Sequence, residues 1–340
     1  MMSGQPRAEK AQLVSVVIPS YNAAGYITTA IESVFAQSFR PFEIIVVDDG
    51  STDNTREALA PYQGRITYRY QENRGVSAAR NEGIRHARGE LIALLDADDI
   101  WSAEKLALQV KAFCLHPEAG LCFTDNSKYD AAGILQESSL AAGLQQWISN
   151  HRERGAEEIS FGPLFQELLQ RNCIHTSTIL ARREVLEAAG LFDETFRVCE
   201  DYDLWLRIAR LHPFLCVNRV LCGYRFHPEG LSGSMETRAA LWNLQNIRVL
   251  EKHLRNRWIP REYEAITRQV LGRRSFFAGW NYFSRNQFRE ARSLFLRSVQ
   301  CEPFRMNHWV YWIATMLPLP MIDTLRWLKR GGSASPEAHA

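Results

Sequence analysis

The chain has 340 residues, of which 46% are hydrophobic and 23% are charged. That length fits about two average domains, and the composition is that of an ordinary globular protein, which excludes a disordered chain, a collagen and a disulfide-rich miniprotein. Forty basic residues against 38 acidic ones give a formal net charge of +2, so the marked basic excess of proteins that bind duplexes is missing and nucleic acid is not expected as the main ligand.

The cysteine pattern and the two ends of the chain indicate the compartment. Seven cysteines with no CxxC pair predict neither a disulfide framework nor a metal cluster, and fit a reducing compartment. Residues 1–12 are polar, so we expect a flexible start rather than a secretory signal. The longest uncharged apolar run, residues 309–322, is too short for a membrane-spanning helix. We expect a cytoplasmic protein, with peripheral contact at the inner face of the cytoplasmic membrane as a further hypothesis.

Short apolar runs alternate with helical patterns through the first half of the chain. The runs predict strands at residues 13–18, 43–47, 66–70, 91–95 and 121–124, the first of them ending before Pro19. Helical spacing predicts helices at residues 26–35, 76–87 and 103–115. A further helix is expected to follow residues 48–51, with Ser51 or Thr52 as its N-cap. This alternation predicts an α/β fold with a doubly wound, mostly parallel sheet.

The pattern changes in the second half. Residues 138–171 show little periodicity and suggest a mobile segment over the site. A strand at 176–180, a helix at 202–211 and a hairpin at 214–226 are expected to follow. From Thr237 onward the pattern is helical, so we place a domain boundary near residue 235.

The C-terminal region contains the spacing of one tetratricopeptide repeat, at Gly279, Tyr282, Ala291, Phe295 and Pro303. Because a solenoid needs about three repeats, we favour a helical hairpin packed on the first domain over an independent partner-binding array. We expect residues 331–340 to form a disordered end.

Three polar clusters follow predicted strands, at residues 19–22, 48–51 and 96–99. Ligands of parallel α/β sheets bind beyond the carboxyl ends of the strands, so one crevice would collect all three clusters. The carboxylates of Asp96-Ala97-Asp98-Asp99 repel one another unless a cation or hydrogen-bond donors compensate, and Mg²⁺ or Mn²⁺ prefers such oxygen ligands. The alternative is a solvated acidic turn.

Two further groups could serve the same chemistry. Asp48-Asp49 offers acceptors for a base or ribose, with helix capping as the alternative. Glu200-Asp201 opens a predicted helix, where a carboxylate is stabilised as an anion and suits a general base, unless it only caps the helix. Cationic or donor groups suited to a diphosphate, or else ordinary surface charges, are Arg74, Arg80, Arg225 and His227.

The order and spacing of these groups resemble those of a family 2 glycosyltransferase with the GT-A fold. The motifs that carry the resemblance are VSVVIPSYN at 14–22, IIVVDDGS at 44–51, NRGVSAARN at 73–81, LLDADD at 94–99, GLFDE at 190–194, EDYDLWLR at 200–207 and YRFH at 224–227. The resemblance implies a GT-A domain over residues 13–235, with a nucleotide-sugar half at 13–125 and an acceptor half at 126–235. A helical region at 236–330 lies outside it.

The resemblance also implies roles for single residues. Asp201 would be the catalytic base, with Glu200 beside it. The metal, Mn²⁺ or Mg²⁺, would be held by Asp96, Asp98 and His227, with Asp98 as the favoured direct ligand. Nucleotide-sugar binding would fall to Pro19, Tyr21, Asn22, Asp49, Arg80, Asp96 and Arg225.

The implied reaction moves a hexosyl or N-acetylhexosaminyl group from a nucleotide-diphosphate sugar, with UDP favoured, to a hydroxyl of a glycan or lipid-linked acceptor. Polysaccharide or cell-envelope glycan synthesis is the expected setting. The metal and arginines would neutralise the leaving diphosphate. One carboxylate opposite the leaving group suffices for a direct displacement, which inverts the anomeric centre and needs no second carboxylate nucleophile.

Other functions fit less well. A nucleotidyltransferase would carry a Gly-rich loop after its first strand, but the turn here is Pro19-Ser20-Tyr21-Asn22, and neither GxGxxG after a strand nor GxxxxGK[ST] occurs. A catalytically weak adaptor that acts through the C-terminal helices is the non-enzyme alternative, and the intact Asp96, Asp98 and Asp201 argue against it.

Two surfaces remain open at this stage. Asn172 and residues 175–178 are candidates for the acceptor mouth, with a buried strand entry as the alternative. Aromatic and basic side chains near the C-terminus suit an interfacial membrane helix, although a helix closing the C-terminal core is slightly favoured. Those side chains are Trp309, Tyr311, Trp312, Arg326, Trp327, Lys329 and Arg330.

Overall fold

The computed structural model describes residues 12–140, 142–227, 235–318 and 320–322. The chain divides into two compact units, the first ending at Ser234 and the second beginning at Met235. The predicted flexible start, apart from Gln12, and the predicted disordered end lie outside the described residues, as do Arg326, Trp327, Lys329 and Arg330.

The first unit is an alternation of strands and helices around one sheet. In chain order its elements are β1 (Val14–Ser20), α1 (Ile27–Phe35), β2 (Phe42–Asp49), α2 (Thr55–Leu59), β3 (Thr67–Gln71), α3 (Val76–His86), β4 (Leu91–Leu94), β5 (Ile100–Trp101), α4 (Lys105–Leu115), β6 (Leu121–Asp130), β7 (Gly133–Gln136), α5 (Ala142–Asn150), β8 (Arg152–Glu153), β9 (Ala156–Gly162), α6 (Phe165–Gln170), β10 (Leu180–Arg182), α7 (Arg183–Ala188), α8 (Glu200–Ala209) and β11 (Phe214–Arg225).

The strand order is β3-β2-β1-β4-β10-β6-β11-β9-β8, with β5 paired to β11 and β7 to β6. The first four strands are parallel, as are β6 and β11. β10 runs antiparallel between β4 and β6, so the second half of the sheet is mixed. Every residue of β1 and β4 is buried, as expected of inner strands covered on both faces. The predicted α/β fold class is confirmed.

The first strand continues through Pro19 to Ser20, so the prediction that Pro19 ends it is wrong. Pro19 is in register with Val47 of β2, whereas the pairing of β1 with β4 ends at Val17. At this level β1 has a neighbour on one side only, and a residue without an N–H is tolerated there.

Helix α3 lies very close to β1 because Gly83 faces the strand. A Cβ atom on Gly83 would come within 2.3 Å of Val17 Cγ1, which is far inside van der Waals contact. Ser77, Ala78 and Ala79 are also buried, so the helix presents small side chains to its surroundings. This close approach carries Arg80, on the same helix, into the interior near the end of the sheet.

Three further predictions of local structure are wrong. Residues 138–171 are not without pattern, since they contain α5, β8, β9 and α6. Residues 214–226 form no hairpin, because the turn-like stretch Asn218–Val220 is absorbed as an irregularity in the single long strand β11. Helix α2 begins at Thr55 rather than after Ser51 or Thr52, and Asp53 Oδ1 accepts from the Thr55 N–H at 3.0 Å.

Residues 176–180 also differ from the predicted strand. Thr176–Thr178 form a single 3₁₀ turn, and β10 starts only at Leu180. The hydroxyl of Thr178 donates to the His175 carbonyl, which closes the turn. A run rich in threonine favours a strand, but here the hydroxyls of residues 176–178 bond to Asp201 in α8, to Asp99 and to the His175 carbonyl.

The second unit is helical throughout its described residues. Its helices are α9 (Met235–Arg255), α10 (Arg261–Ser284), α11 (Phe288–Cys301) and α12 (Met306–Ala314). α10 and α11 meet where a Cβ atom on Gly279 would lie 3.0 Å from the Phe295 ring, and Ala291 and Phe295 are fully buried. Among the described residues, no helix combines the length and the apolar character that spanning a membrane requires.

Candidate active site

The loops after β1 and β2 are bound to each other at the carboxyl edge of the sheet. Asn22, with φ of +50°, donates its N–H to Ser51 Oγ at 2.9 Å, and its side-chain oxygen accepts from the Thr52 N–H at 2.8 Å. Pro19 is the last but one residue of β1, and the Tyr21 side chain just after the strand is half exposed. The predicted nucleotide-binding residues of this loop therefore lie on one edge.

Asp49 shapes the neighbouring loop. Its carboxylate is buried and accepts from Gln71 Nε2 at 2.6 Å, from the Arg74 N–H at 2.8 Å and from the Gly75 N–H at 2.7 Å. Gly50 makes this possible, because its φ is +78° and a Cβ atom there would lie 2.8 Å from the Asn73 nitrogen. Both Asp49 oxygens thus hold the loop at 71–75.

Arg80 lies between two carboxylates that are far apart in sequence. Its Nη1 donates to Glu200 Oε1 at 2.6 Å, and its Nη2 donates to Asp96 Oδ1 at 2.7 Å. The side chain is only 4% exposed. The resemblance implies that Arg80 lies beside a diphosphate. In the structure its terminal nitrogens join the loop after β4 that contains residues 96–99, hereafter the acidic loop, to Glu200, the first residue of α8.

The two partners of Arg80 differ in their acidity. Burial is the largest influence on Asp96 and raises its pKa, but the Arg80 guanidinium, together with His175, more than compensates, so the pKa lies below its ordinary value. Burial likewise raises the pKa of Glu200, here to about 7, although Arg80 lowers it. Asp96 is therefore the firmly ionised member of the pair at neutral pH.

Asp98 and His227 face each other at the end of the acidic loop. His227 Nε2 lies 3.1 Å from Asp98 Oδ2, and both side chains are partly exposed. Arg225 donates its Nε–H to the Asp98 carbonyl at 3.0 Å, and its guanidinium lies over the Tyr26 ring. The His227 ring stacks on Tyr26 as well. The structure brings these three predicted site residues together.

The donors at this loop suit a hard divalent cation. Asp98 and His227 supply a carboxylate and an imidazole, and Asp96 Oδ2 lies on the same loop, while its Oδ1 accepts from Arg80. Oxygen ligands with one imidazole fit Mn²⁺, and the carboxylates fit Mg²⁺. The residues present therefore fit the predicted metal.

A second group of ligand-type side chains lies just behind this loop. Atoms of Asp99, His175 and Cys222 come within 4.8 Å of one another. Both Asp99 oxygens are already acceptors, from Ser177 Oγ at 2.6 Å and from the Arg225 N–H at 3.0 Å. Burial raises the pKa of the Cys222 thiol well above its ordinary value, which favours the neutral thiol. We regard this group as a packed support of the loop.

Asp201 is held at the start of α8 by several donors. Asn172 Nδ2 lies 3.2 Å from each carboxylate oxygen, Thr176 Oγ1 donates to Oδ2 at 3.3 Å, and the Tyr202 N–H donates to Oδ1 at 2.6 Å. Burial raises the pKa of Asp201, while Arg80 lowers it. A carboxylate with a raised pKa and a fixed orientation is a better proton acceptor than a free one.

Some functional contacts were missed by sequence reasoning. Asn81 exchanges two hydrogen bonds with the Phe192 backbone, both at 2.9 Å, and so links the NRGVSAARN and GLFDE motifs. Arg207 pairs with Asp203 and donates to the Leu191 carbonyl at 2.7 Å, which fixes the same segment against α8. The motifs were recognised as a signal, but their spacing does not reveal which of their residues touch.

Comparison with known proteins identifies the family. The profile of glycosyl transferase family 2 matches residues 15–188, which are 174 of the 340 residues. The chain belongs to this family. It is a glycosyltransferase, and the matched region runs from the second residue of β1 past the end of β10 and contains the acidic loop. Asp201 and His227 lie beyond the match.

Two curated relatives are similar in sequence. This family 2 glycosyltransferase is 32% identical to an uncharacterized glycosyltransferase of Rickettsia typhi over 235 residues, 68% of this chain and 70% of the relative. It is 43% identical over 119 residues to a Bacillus subtilis protein named for teichuronic acid biosynthesis, 34% of this chain and 47% of that protein. Three other Rickettsia relatives are matched over only 33 to 35% of their own length.

Two solved structures share the fold. The Staphylococcus aureus TarS fragment 1–349 in complex with UDP-GlcNAc has a TM-score of 0.60 and 18% identity, over 92% of this chain and 91% of that chain. The mannosyltransferase PcManGT from Pyrobaculum calidifontis, in complex with GDP-Man and Mn²⁺, has a TM-score of 0.57 and 19% identity, over 98% and 84%. The likeness confirms the GT-A type of fold.

Proposed function

We propose that this glycosyltransferase moves a hexosyl or N-acetylhexosaminyl group from a nucleotide-diphosphate sugar, UDP-linked by preference, to a hydroxyl of a glycan or lipid-linked acceptor, with inversion. The observation that carries the proposal is the bridge made by Arg80. One guanidinium contacts both Asp96 and Glu200, so the acidic loop and the start of α8, which carries Asp201, lie next to each other. Donor and acceptor chemistry then meet there.

The donor side of the proposal rests on the acidic loop. Asp98, His227 and Asp96 would hold Mn²⁺ or Mg²⁺, which when bound neutralises the charge that develops on the departing diphosphate. Arg225 adds a cation beside Asp98. The exposed Tyr21 ring and the loops fixed by Asn22 and Asp49 would receive the base and ribose. The nucleotide sugars and Mn²⁺ in the two solved neighbours support this arrangement by analogy.

The acceptor side rests on Asp201. Its carboxylate accepts the proton of the acceptor hydroxyl as that oxygen attacks the anomeric carbon. The bond from the anomeric carbon to the diphosphate oxygen breaks, and the diphosphate leaves with its electron pair. A single displacement inverts the configuration, whereas a retaining path through a covalent intermediate needs a second carboxylate as nucleophile. The hydrogen bonds from Asn172 and Thr176 fix the orientation of the Asp201 carboxylate.

The setting we propose is polysaccharide or cell-envelope glycan synthesis. The Bacillus subtilis relative is named for teichuronic acid biosynthesis, and that name supports the setting. The acceptor mouth would include Asn172 and Thr176, since both contact Asp201.

Inversion can be tested without knowledge of the acceptor, because water can take its place. We expect proton NMR of UDP-α-sugar turnover with Mn²⁺ to show the β-sugar first, before mutarotation mixes the anomers. A control with Asp201→Asn should show neither anomer above the uncatalysed rate. The α-sugar as first product would exclude the single displacement.

We further propose that the second unit docks on an anionic membrane surface at the cytoplasmic face. Helix α12 contains no charged residue, and on it Met306, Val310 and Ile313 are 72%, 59% and 50% exposed. Their spacing puts them on one side of the helix. Phe304, just before the helix, is 96% exposed. The sequence from 305 to 330 has four basic residues and one acidic residue, which suits anionic headgroups.

Replacing Val310 and Ile313 together by aspartate should lower the fraction that floats with phosphatidylglycerol vesicles by at least about tenfold, because each loses apolar burial of about 1.5–3 kcal/mol. Leu211→Asp is the matched control, since Leu211 is 64% exposed in the first unit. It should float like the wild type. If the double variant floats as well as the wild type, the proposal that α12 contacts the membrane is wrong.

A further inference from the structure

The turn Thr176–Thr178 supports the acidic loop from behind. The Ser177 hydroxyl donates to Asp99 Oδ2 at 2.6 Å and accepts from the Asp96 N–H at 3.0 Å. Ser177 is fully buried. One hydroxyl therefore binds the first and the last aspartate of the loop, and Asp98 lies between the two fixed points.

The same turn is itself held firmly. The Ser177 carbonyl accepts from Trp101 Nε1 at 2.7 Å, and Trp101 follows the acidic loop as part of β5. Within the loop, the Asp99 N–H donates to the Asp96 carbonyl at 3.1 Å. The neighbouring Thr176 contacts Asp201. Ser177 thus lies where the acidic loop and the base are both tied to one short turn.

The loop needs such a support because it gathers carboxylates. Asp96, Asp98 and Asp99 repel one another, and without a fixed backbone the loop would open and separate its ligands. A neutral hydroxyl can hold both ends without adding charge. Partners that orient metal ligands from behind are worth about 10–100-fold in metal affinity in other sites.

We propose that Ser177 is a positioning residue that sets the affinity of the acidic loop for its divalent cation. It does not touch the cation. This inference rests on the proposed metal site at Asp96, Asp98 and His227. It deepens that proposal, because it names a residue of the acceptor half (126–235) that determines how tightly the aspartates of the nucleotide-sugar half (13–125) bind the metal.

The test measures Mn²⁺ binding by electron paramagnetic resonance, using this chain with saturating UDP. Ser177→Ala should raise the dissociation constant for Mn²⁺ by about 10–100-fold. Thr178→Ala is the matched control, because Thr178 is equally buried in the same turn and its hydroxyl donates only to the His175 carbonyl. Its affinity should stay close to that of the wild type. Ser177→Cys, which keeps the volume but donates weakly, should be intermediate.

A second readout separates positioning from general damage. Saturating Mn²⁺ should restore most of the turnover of Ser177→Ala, whereas a misfolded site would not recover. The outcomes also separate the two proposals. Equal Mn²⁺ binding by wild type and Asp98→Asn would overturn the proposed metal site. Loss of binding in Asp98→Asn, with Ser177→Ala binding as tightly as Thr178→Ala, would overturn the role of Ser177 alone.

Discussion

Asp201→Asn is expected to lower the turnover number for sugar transfer by about 10²–10⁴-fold, the range that general base catalysis contributes. The amide fills the same space beside Asn172 and Thr176 but cannot accept the proton of the acceptor hydroxyl. Binding of the nucleotide with Mn²⁺ should be nearly unchanged, because Asp201 is not among the residues assigned to the donor. Turnover and calorimetric nucleotide binding are the two measurements.

Asp130→Asn is the matched control for this variant. Asp130 is the last residue of β6, and its Oδ1 accepts from the Ala132 and Gly133 N–H groups of the exposed turn that follows, at 2.8 and 3.1 Å. Its turnover should equal that of the wild type. If Asp201→Asn turns over as fast as Asp130→Asn, Asp201 is not the base and the acceptor side of the mechanism is wrong.

Arg80→Met is expected to lower the free energy of unfolding by about 3–5 kcal/mol at pH 8, because it leaves two buried carboxylates without their cation. Urea denaturation gives this value directly. Methionine keeps much of the apolar stem, so the loss reports mainly the missing charge. Arg69→Met is the control, since Arg69 makes an exposed ion pair with Glu82 at 3.3 Å and such pairs contribute about 0–1 kcal/mol.

The cost of Arg80→Met should depend on pH in a definite direction. Arg80 lowers the pKa of both Asp96 and Glu200, so its removal raises both values in the folded state. A carboxyl group whose pKa is higher in the folded than in the unfolded state binds more protons in the folded state. The free energy of unfolding therefore falls as the pH rises. The loss should therefore be larger at pH 8 than at pH 5.5. A loss independent of pH would mean that the carboxylates find other partners.

The parallel half of the sheet could be predicted because local signals and the final structure agree there. Inner strands such as β1 and β4 are buried on both faces and so have continuous apolar sequences. The helices between them carry clear periodicity or, in α3, small residues that pack closely. In such regions each local preference points to the same fold.

The errors occur where contacts distant in sequence decide the structure. Pro19 continues the strand because β1 still pairs with β2 there, while its pairing with β4 has ended at Val17, and no local feature of residues 14–20 indicates where that pairing ends. Residues 218–220 have the composition of a turn, but pairing with β6 before and after them keeps β11 continuous. Helix α2 starts late because Ser51 instead accepts from the Asn22 backbone.

For the site, the sequence predicted which residues gather but not how they are connected. The spacing of the motifs indicated Asp98, His227 and Arg225, which the structure places together. It could not indicate that Arg80 joins Asp96 to Glu200, because that bridge depends on how closely α3 approaches the sheet at Gly83. Ser177 lies within residues 175–178, which the sequence offered as candidates for the acceptor mouth, but its hydrogen bonds to Asp96 and Asp99 join segments about 80 residues apart and leave no local pattern.

The most direct test of the central claim is the melting temperature of this chain with UDP, dTDP, GDP or CMP, each with and without Mn²⁺. A ligand at 100 times its dissociation constant stabilises by about 2.7 kcal/mol. For a protein of this size each kcal/mol corresponds to about 2–4 °C. We predict a rise of several degrees with UDP only when Mn²⁺ is present. No rise with any nucleotide, or an equal rise without the metal, would contradict metal-dependent binding of a nucleotide-sugar donor.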